Sequence, residues 1–327
     1  MTKHRKGKPS KYHLNNWSEY NHALKQRGKI VFMIAKDIDG TWLAARHEGE
    51  QPGAPLVFTD TAIEICLQMR ELLGKPLRQT EGFIEGLFEF AGTDLPVPSY
   101  SLLSKRAADL NVKLNRFNKD GPQKKLTHDE PVTITMDSTG LKIYGEGEWL
   151  KEKHKTKTRK SWMKAHVATD QNGYIVAESL TSTEIGDPTE AVNLLAQIPY
   201  DQVDTFYGDG AYDSASLHAE IEHKYPGINI VTSPRTDAVV SSRDHPTQRD
   251  MHIIKIEEKG RDAWQAISGY NQRNLVENTM FRLKTIFGGK LKARKTGNQQ
   301  TEFTIKCSLL NKMNSLGMPS AYKVRSI

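Results

Sequence analysis

The spacing of apolar positions changes several times along the chain, and each change marks an element. From Thr59 onward they fall at Ile63, Leu67, Met69, Leu72 and Leu73, a near-helical spacing. It predicts a helix over about 61–73, capped by Thr59 or Asp60 and stopped at Gly74. Lys75 and Pro76 restart the chain, and Leu77, Phe83, Ile84, Leu87, Phe88 and Phe90 give a second helical face that ends at Gly92. A third helix is expected over 99–110. Two helices with a glycine-containing connection, the second carrying Lys105 and Arg106, fit a helix-turn-helix whose second helix enters the major groove. A plain three-helix bundle would show the same pattern.

The period then drops to two. Val132, Ile134 and Met136 alternate with threonines, predicting a strand that delivers Asp137 at its end, with Leu141, Ile143 and Tyr144 extending or following it. Segments 162–169 and 174–180 flank Asp170-Gln171-Asn172-Gly173 and read as an antiparallel hairpin. Asp187 and Pro188 open a helix through Leu195, and 203–207 is a strand ending in Gly208-Asp209-Gly210. A helix over 216–223 and a strand over 228–231 follow. Three antiparallel strands, then alternating helix and strand, is the order of an α/β, ribonuclease-H-like fold, which remains a fold-level analogy until a site is found. A helix over 275–287 combines an apolar face including Met280, Phe281 and Leu283 with Glu277 and Lys284. The resulting division is a basic N-terminal segment (1–58), a helical DNA-binding region (59–117), a polar linker (118–130), a catalytic domain (131–290) and a basic C-terminal extension (291–327).

Composition narrows the class of partner. With 327 residues, 37% of them hydrophobic, the chain can bury a core in two or three units. The net charge of +7 is concentrated near the N-terminus, over 151–164 and over 282–325. One such run reads as a solvated face, whereas three point to a polyanion, nucleic acid. No stretch approaches the roughly 20 apolar residues of a spanning helix, and the basic runs lack an amphipathic anchor, so a membrane is set aside. The basic start carries no apolar stretch of the secretory kind, which implies a cytoplasmic protein, at the nucleoid when on DNA. Cys66 and Cys307 supply neither a disulfide framework nor a zinc site.

The sharpest pattern is Tyr270-x2-Arg273-x3-Glu277-x6-Lys284, which resembles the Tyr, Arg, Glu, Lys signature of bacterial insertion-sequence transposases of the IS-four and IS-five families. Asp137-Ser138-Thr139-Gly140 resembles the family's first-aspartate motif, and Tyr207-Gly208-Asp209-Gly210-Ala211-Tyr212-Asp213 its second. Leu77-Arg78-Gln79-Thr80, Leu95-Pro96-Val97-Pro98 and Arg159-x2-Trp162-x-Lys164-x-His166 extend the likeness over about 59–317, closest to the IS-five group.

The resemblance implies a catalytic triad of Asp137, Asp209 and Glu277 that holds Mg2+ or Mn2+. Two such ions about 4 Å apart would contact both the attacking and the leaving oxygen of one phosphodiester. It also implies recognition of terminal inverted repeats, cleavage at element ends and joining to target DNA by a homo-oligomer. Arg273 and Lys284 would meet phosphates, and Tyr270 would pack or bind phosphate. Lys164 and His166 share one sheet face and are candidates for DNA contact or for a structural role. Lys105, Arg106 and Lys292 complete the expected DNA contacts, Lys292 through general salt-sensitive affinity. Asp213 reads as the cap of the following helix, and an ordinary ion pair with Arg273 is the alternative for Glu277. The competing functions are a DNA nuclease or domesticated relative that does not integrate, and a DNA-binding regulator without catalysis.

Overall fold

The computed structural model describes residues 12–29, 40–44, 58–114, 132–143, 162–198 and 203–323. A short strand β1 (Tyr12–Leu14) and helix α1 (Trp17–Gly28) precede helices α2 (Asp60–Leu73), α3 (Leu77–Ala91) and α4 (Tyr100–Arg106). Thr59 caps α2 by accepting the Ala62 amide at 3.1 Å, and α2 and α3 end at Gly74 and Gly92. Helix α4 stops short of the expected 110. The Ala107 carbonyl, instead of continuing the helix, accepts the Thr301 hydroxyl at 2.6 Å.

Strands β2 (Val132–Ile143), β3 (Trp162–Asp170) and β4 (Ile175–Ser182) are antiparallel neighbours. Helix α5 (Asp187–Leu195) leads to β5 (Val203–Gly208), and α6 (Ala215–Lys224) leads to β6 (Asn229–Thr232). β5 pairs parallel with β2 and β6 parallel with β5, giving the strand order β4-β3-β2-β5-β6. The chain continues through α7 (Gln248–Lys259), α8 (Arg261–Ser268), α9 (Asn274–Phe287), β7 (Lys290–Leu291), α10 (Thr296–Ser315) and β8 (Ala321–Lys323). β7 joins the sheet beside the end of β2, and β8 pairs with β1.

The period of two along β2 separates the two faces of the sheet. Val132, Ile134 and Met136 enter a core with Ala191 and Leu194 of α5 and Leu217 and Ile221 of α6. Leu141, with Ala165 and Val167 of β3, enters a core with Val276, Met280 and Leu283 of α9. Asp137 pairs with Val167 in the antiparallel register, so it belongs to the α9 face.

Three expectations change. The helical region is not a separate unit, because Ile63, Cys66 and Met69 of α2, Ile84 of α3 and Leu103 of α4 lie in the same core as α9 and α10. The N-terminal segment contributes as well: Trp42 is buried there and its indole donates to the Pro96 carbonyl at 2.7 Å. Nor is 291–327 an extension. Helix α10 is buried along most of its length, and its Asn311 exchanges two 2.8 Å hydrogen bonds with the backbone of Ile175 on β4. The expected linker 118–130 and most of the basic run over 151–164 lie outside the described residues.

Candidate active site

Asp137 does not end its strand, since β2 runs on to Ile143 beside β3. What ends near it is the pairing with β5, whose last rung is Thr135 against Tyr207. Two residues further along each strand stand Asp137 and Asp209, on the same sheet face as that rung and on strands about 4.8 Å apart. Asp137 Oδ1 accepts the Ser138 amide at 2.7 Å, and Asp209 caps a short 3-10 turn, Gly210–Tyr212, by accepting the Ala211 amide at 2.8 Å. Gly208 permits that turn to close: a Cβ there would lie 2.8 Å from Tyr212 Cβ and Cγ.

Helix α9 covers this face. Its Val276, Thr279, Met280, Leu283 and Phe287 are buried, which leaves Glu277 on the open side. Lys284, two turns on, returns to nearly the same stripe, and its Nζ donates to Thr139 Oγ1 on β2. Thr139 shares a strand face with Asp137, so Asp137, Glu277 and Lys284 converge on one region.

Glu277 Oε1 accepts from Arg273 Nη2 at 2.5 Å, the ion pair that the i,i+4 spacing allowed. Arg273 Nε is buried without a hydrogen-bond partner, and the guanidinium lies 5.8 Å from the centre of the Tyr270 ring. Tyr270 in turn packs on Trp264, ring centres 5.1 Å apart. Burial alone would depress the Arg273 pKa, but Tyr270, Glu277 and Asp137 outweigh it and raise the pKa. Tyr207 OH donates to the Ser268 carbonyl at 3.3 Å, tying β5 to the segment that carries Tyr270 and Arg273. Gly269 has φ +69°, and a Cβ on it would meet that hydroxyl at 2.9 Å.

The Asp137 carboxyl is pushed up to about 6, chiefly by burial. The Ser138 amide and Arg273 oppose the rise, while Asp209 and Glu277 add to it. Asp137 therefore lies within reach of two further negative charges and one positive one.

The remaining expected residues divide. Lys164 and His166 pair with Gly140 and Ser138, which puts them on the sheet face opposite Asp137. Lys164 Nζ donates to Asp187 at 3.2 Å and to the Ile185 carbonyl at 3.1 Å. His166 is fully buried and bonded to Thr181 at 2.8 Å, so a direct DNA contact is replaced by a structural role. Its Nδ1 is 3.4 Å from Asp187, and burial lowers its pKa more than Asp187 raises it, which disfavours the charged ring.

Asp213 does not cap the next helix, a place taken by Ser214. It is buried, pairs with Arg249 at 2.7 Å and accepts the Arg235 amide at 2.9 Å. Arg106 pairs at the surface with Asp60 and donates to the Phe58 carbonyl, and Lys105 is exposed. Lys292 turns inward. Its amide donates to Glu302 and its Nζ lies 3.9 Å from buried Glu71, an environment that replaces the expected free basic surface. The sequence reading missed Ser233 and Arg235 just beyond β6. Arg235 Nε donates to the Gly210 carbonyl at 3.3 Å, beside the Asp209 turn. Their position after a parallel strand, where open α/β sheets place their ligands, was the available signal.

As the side chains stand, no group of three His, Cys, Asp or Glu among the described residues is close enough to hold a metal. Glu277 is instead held in an ion pair with Arg273. The donor set still fits a hard divalent cation: three carboxylates from three segments of the chain, one of them raised in pKa chiefly by burial, with the other two adding to the rise.

Fold and site together define a mixed α/β protein with an acidic centre beside the carboxyl end of a parallel strand. Residues 128–312 match a family model described as a transposase DDE domain, and residues 25–146 match a second model of the same description. The first spans more than half of the chain, so the chain belongs to the DDE transposases, which use divalent metal to cleave DNA and transfer its strands. Among solved structures, a piggyBac transposase synaptic complex with hairpin DNA is similar at 12% identity and a TM-score of 0.37, over 94% of this chain and 76% of that one. A Drosophila P element transposase strand transfer complex is similar at 12% identity and a TM-score of 0.33, over 88% and 71%.

Proposed function

We propose that this chain is an insertion-sequence transposase of the IS-five group, with Asp137, Asp209 and Glu277 as its metal-holding triad on a ribonuclease-H-like sheet. The observation that carries the reading is the register: Asp137 and Asp209 stand two residues past the last rung joining adjacent parallel strands, under the helix that bears Glu277. The strand order, three antiparallel strands followed by two parallel ones, supports the same assignment of fold.

In this reading the three carboxylates offer oxygens to two ions, Mg2+ or Mn2+. When bound, these would supply an activated nucleophile and stabilise the departing 3'-oxygen. Arg273 keeps Glu277 in place before metal arrives and is then free to offer its forked donors to a DNA phosphate. Lys284 holds a neighbouring phosphate above Thr139, and Tyr270, packed on Trp264, fixes the angle at which Arg273 leaves its turn. Helices α2 to α4 contact the terminal inverted repeats, with Lys105 available at the surface, and the active form is a homo-oligomer on DNA.

The test uses duplexes made from the DNA flanking the gene. Asp137→Asn, Asp209→Asn and Glu277→Gln should each abolish cleavage and strand joining while retaining end binding. Cleavage near the wild-type rate by one of them removes that residue from the triad. Cleavage without joining by the wild-type protein makes it a nuclease instead.

A further inference from the structure

Helix α10 begins without a side-chain cap, since Lys295 at its N-cap position makes no capping hydrogen bond. The amides of its first turn have no partner within the helix, and the helix dipole adds partial positive charge at that end. Behind this start lies a cavity of about 310 Å³ among α2, α3, α4 and α10, with Leu67, Leu77, Leu103 and Ile305 in its walls. Arg294 and Lys295, both exposed, line its mouth.

The polar lining of the cavity is unfinished. Glu302 is fully bonded, to Lys306 Nζ at 2.7 Å and to the amides of Lys292 and Ala293 at 2.9 and 2.8 Å. Its neighbour Glu71 is not. The Glu71 side chain is 1% exposed, and Arg70, Lys306 and Lys292 lie 3.1, 3.6 and 3.9 Å from its oxygens. Yet neither oxygen accepts a hydrogen bond among the described residues. Arg70 Nε is likewise a buried donor without an acceptor, and Asn298 Oδ1 a buried acceptor without a donor. All three residues line the cavity. Unmatched buried polar groups are costly, so a ligand that completes them gains affinity.

We propose that this cavity binds a small organic anion with an apolar body and a neutral primary-amide end, the amide inward at Glu71 and Arg70 and the anionic group at the start of α10. Three cations already face Glu71, so the donor it lacks is a neutral N–H and not a further positive charge. A primary amide offers N–H beside C=O, which matches a Glu71 oxygen beside the Arg70 Nε donor. The apolar walls take the body of the ligand and add affinity by burial. At the mouth, Arg294, Lys295 and the free amides of α10 favour a carboxylate or a phosphate monoester. Seated there, the ligand joins α2 and α4 to the start of α10 and stabilises the folded chain by mass action.

The probe is 4-carbamoylbenzoate, with benzoate and benzamide as its two halves, each titrated calorimetrically into the full-length protein. 4-Carbamoylbenzoate should bind about tenfold more tightly than either half, the worth of one further buried hydrogen bond to a charged group. It should also raise the thermal unfolding midpoint as its concentration rises. Arg294→Ala combined with Lys295→Ala, both at exposed positions, should cost 4-carbamoylbenzoate about tenfold and leave benzamide unchanged. Glu71→Leu should do the reverse, costing 4-carbamoylbenzoate about tenfold and leaving benzoate unchanged. Glu71 is buried among charges, so if Glu71→Leu fails to fold, the Arg294 and Lys295 double variant decides alone. Equal affinity for all three probes, unchanged binding in the double variant, or no binding of any probe because the cavity holds only water, each overturns the proposal.

Discussion

Glu178 on β4 is a buried acid with both oxygens occupied. Gln300 Nε2 donates to each at 3.0 Å, and the Thr304 hydroxyl donates to one at 2.6 Å. Burial pushes its carboxyl up to about 7, against the pull of the hydrogen bonds from Thr304 and Gln300. A raised acid keeps its proton in the folded state after the unfolded chain has lost it. Its cost is therefore absent below about pH 4.5, grows as pH rises through the window from about 4.5 to about 7, and is fully present above. Glu178→Gln should remove this loss and stabilise the protein at pH 8 relative to pH 5. The effect is on the order of 3 kcal/mol, measured by denaturant unfolding at the two pH values. An equal effect at both pH values would mean that Glu178 stays charged. At this scale the sequence showed the chemistry of the site but not its surroundings. The family resemblance singled out Asp137, Asp209, Glu277 and Lys284 as candidates, while the partners Thr139 and Asp60 and the burial of His166 depend on which faces meet.

Among elements, those with apolar periodicity were legible and α10 was not. Its Gln299, Thr301, Thr304, Ser308, Asn311 and Asn314 break any apolar period, yet they are buried, with Asn311 bonded to the Ile175 backbone of β4 and Thr301 to the Ala107 carbonyl just past α4. Helices α7 and α8 were also unread, although Thr247 and Asp250 form a capping box at the start of α7. Where α10 meets α2, charges are buried together. Lys306 Nζ lies 2.7 Å from Glu302, 3.0 Å from the Lys290 carbonyl and 3.6 Å from Glu71. Burial disfavours the ionised Glu302, but Lys306 and Arg70 outweigh it and hold that carboxyl low. Lys306→Met would keep the volume and leave two acids short of a partner. We expect a loss of about 3–5 kcal/mol in unfolding free energy, the range for breaking a buried pair from one side. A loss below 1 kcal/mol would show that Arg70 and Lys292 suffice.

Across the whole molecule, helices α2 to α4 and the sheet share one core through α9 and α10. The boundaries drawn from composition failed here because charge and polarity report on surface, whereas the shared core is carried by residues far apart in the chain, such as Cys66 and Cys307. The succession of strands along the chain, by contrast, was legible from period and turn signals, whereas their order in the sheet was not. The central claim, that three acids from β2, the end of β5 and α9 form one metal site, is tested most directly by Mn2+ titration followed by electron paramagnetic resonance. Wild type would be compared with Asp137→Asn, Asp209→Asn, Glu277→Gln and the nearby control Asp213→Asn. The account predicts that each of the first three weakens Mn2+ binding at least tenfold, while folded Asp213→Asn binds as wild type does. Wild-type Mn2+ affinity in any of the three, or loss of binding only in Asp213→Asn, would contradict it.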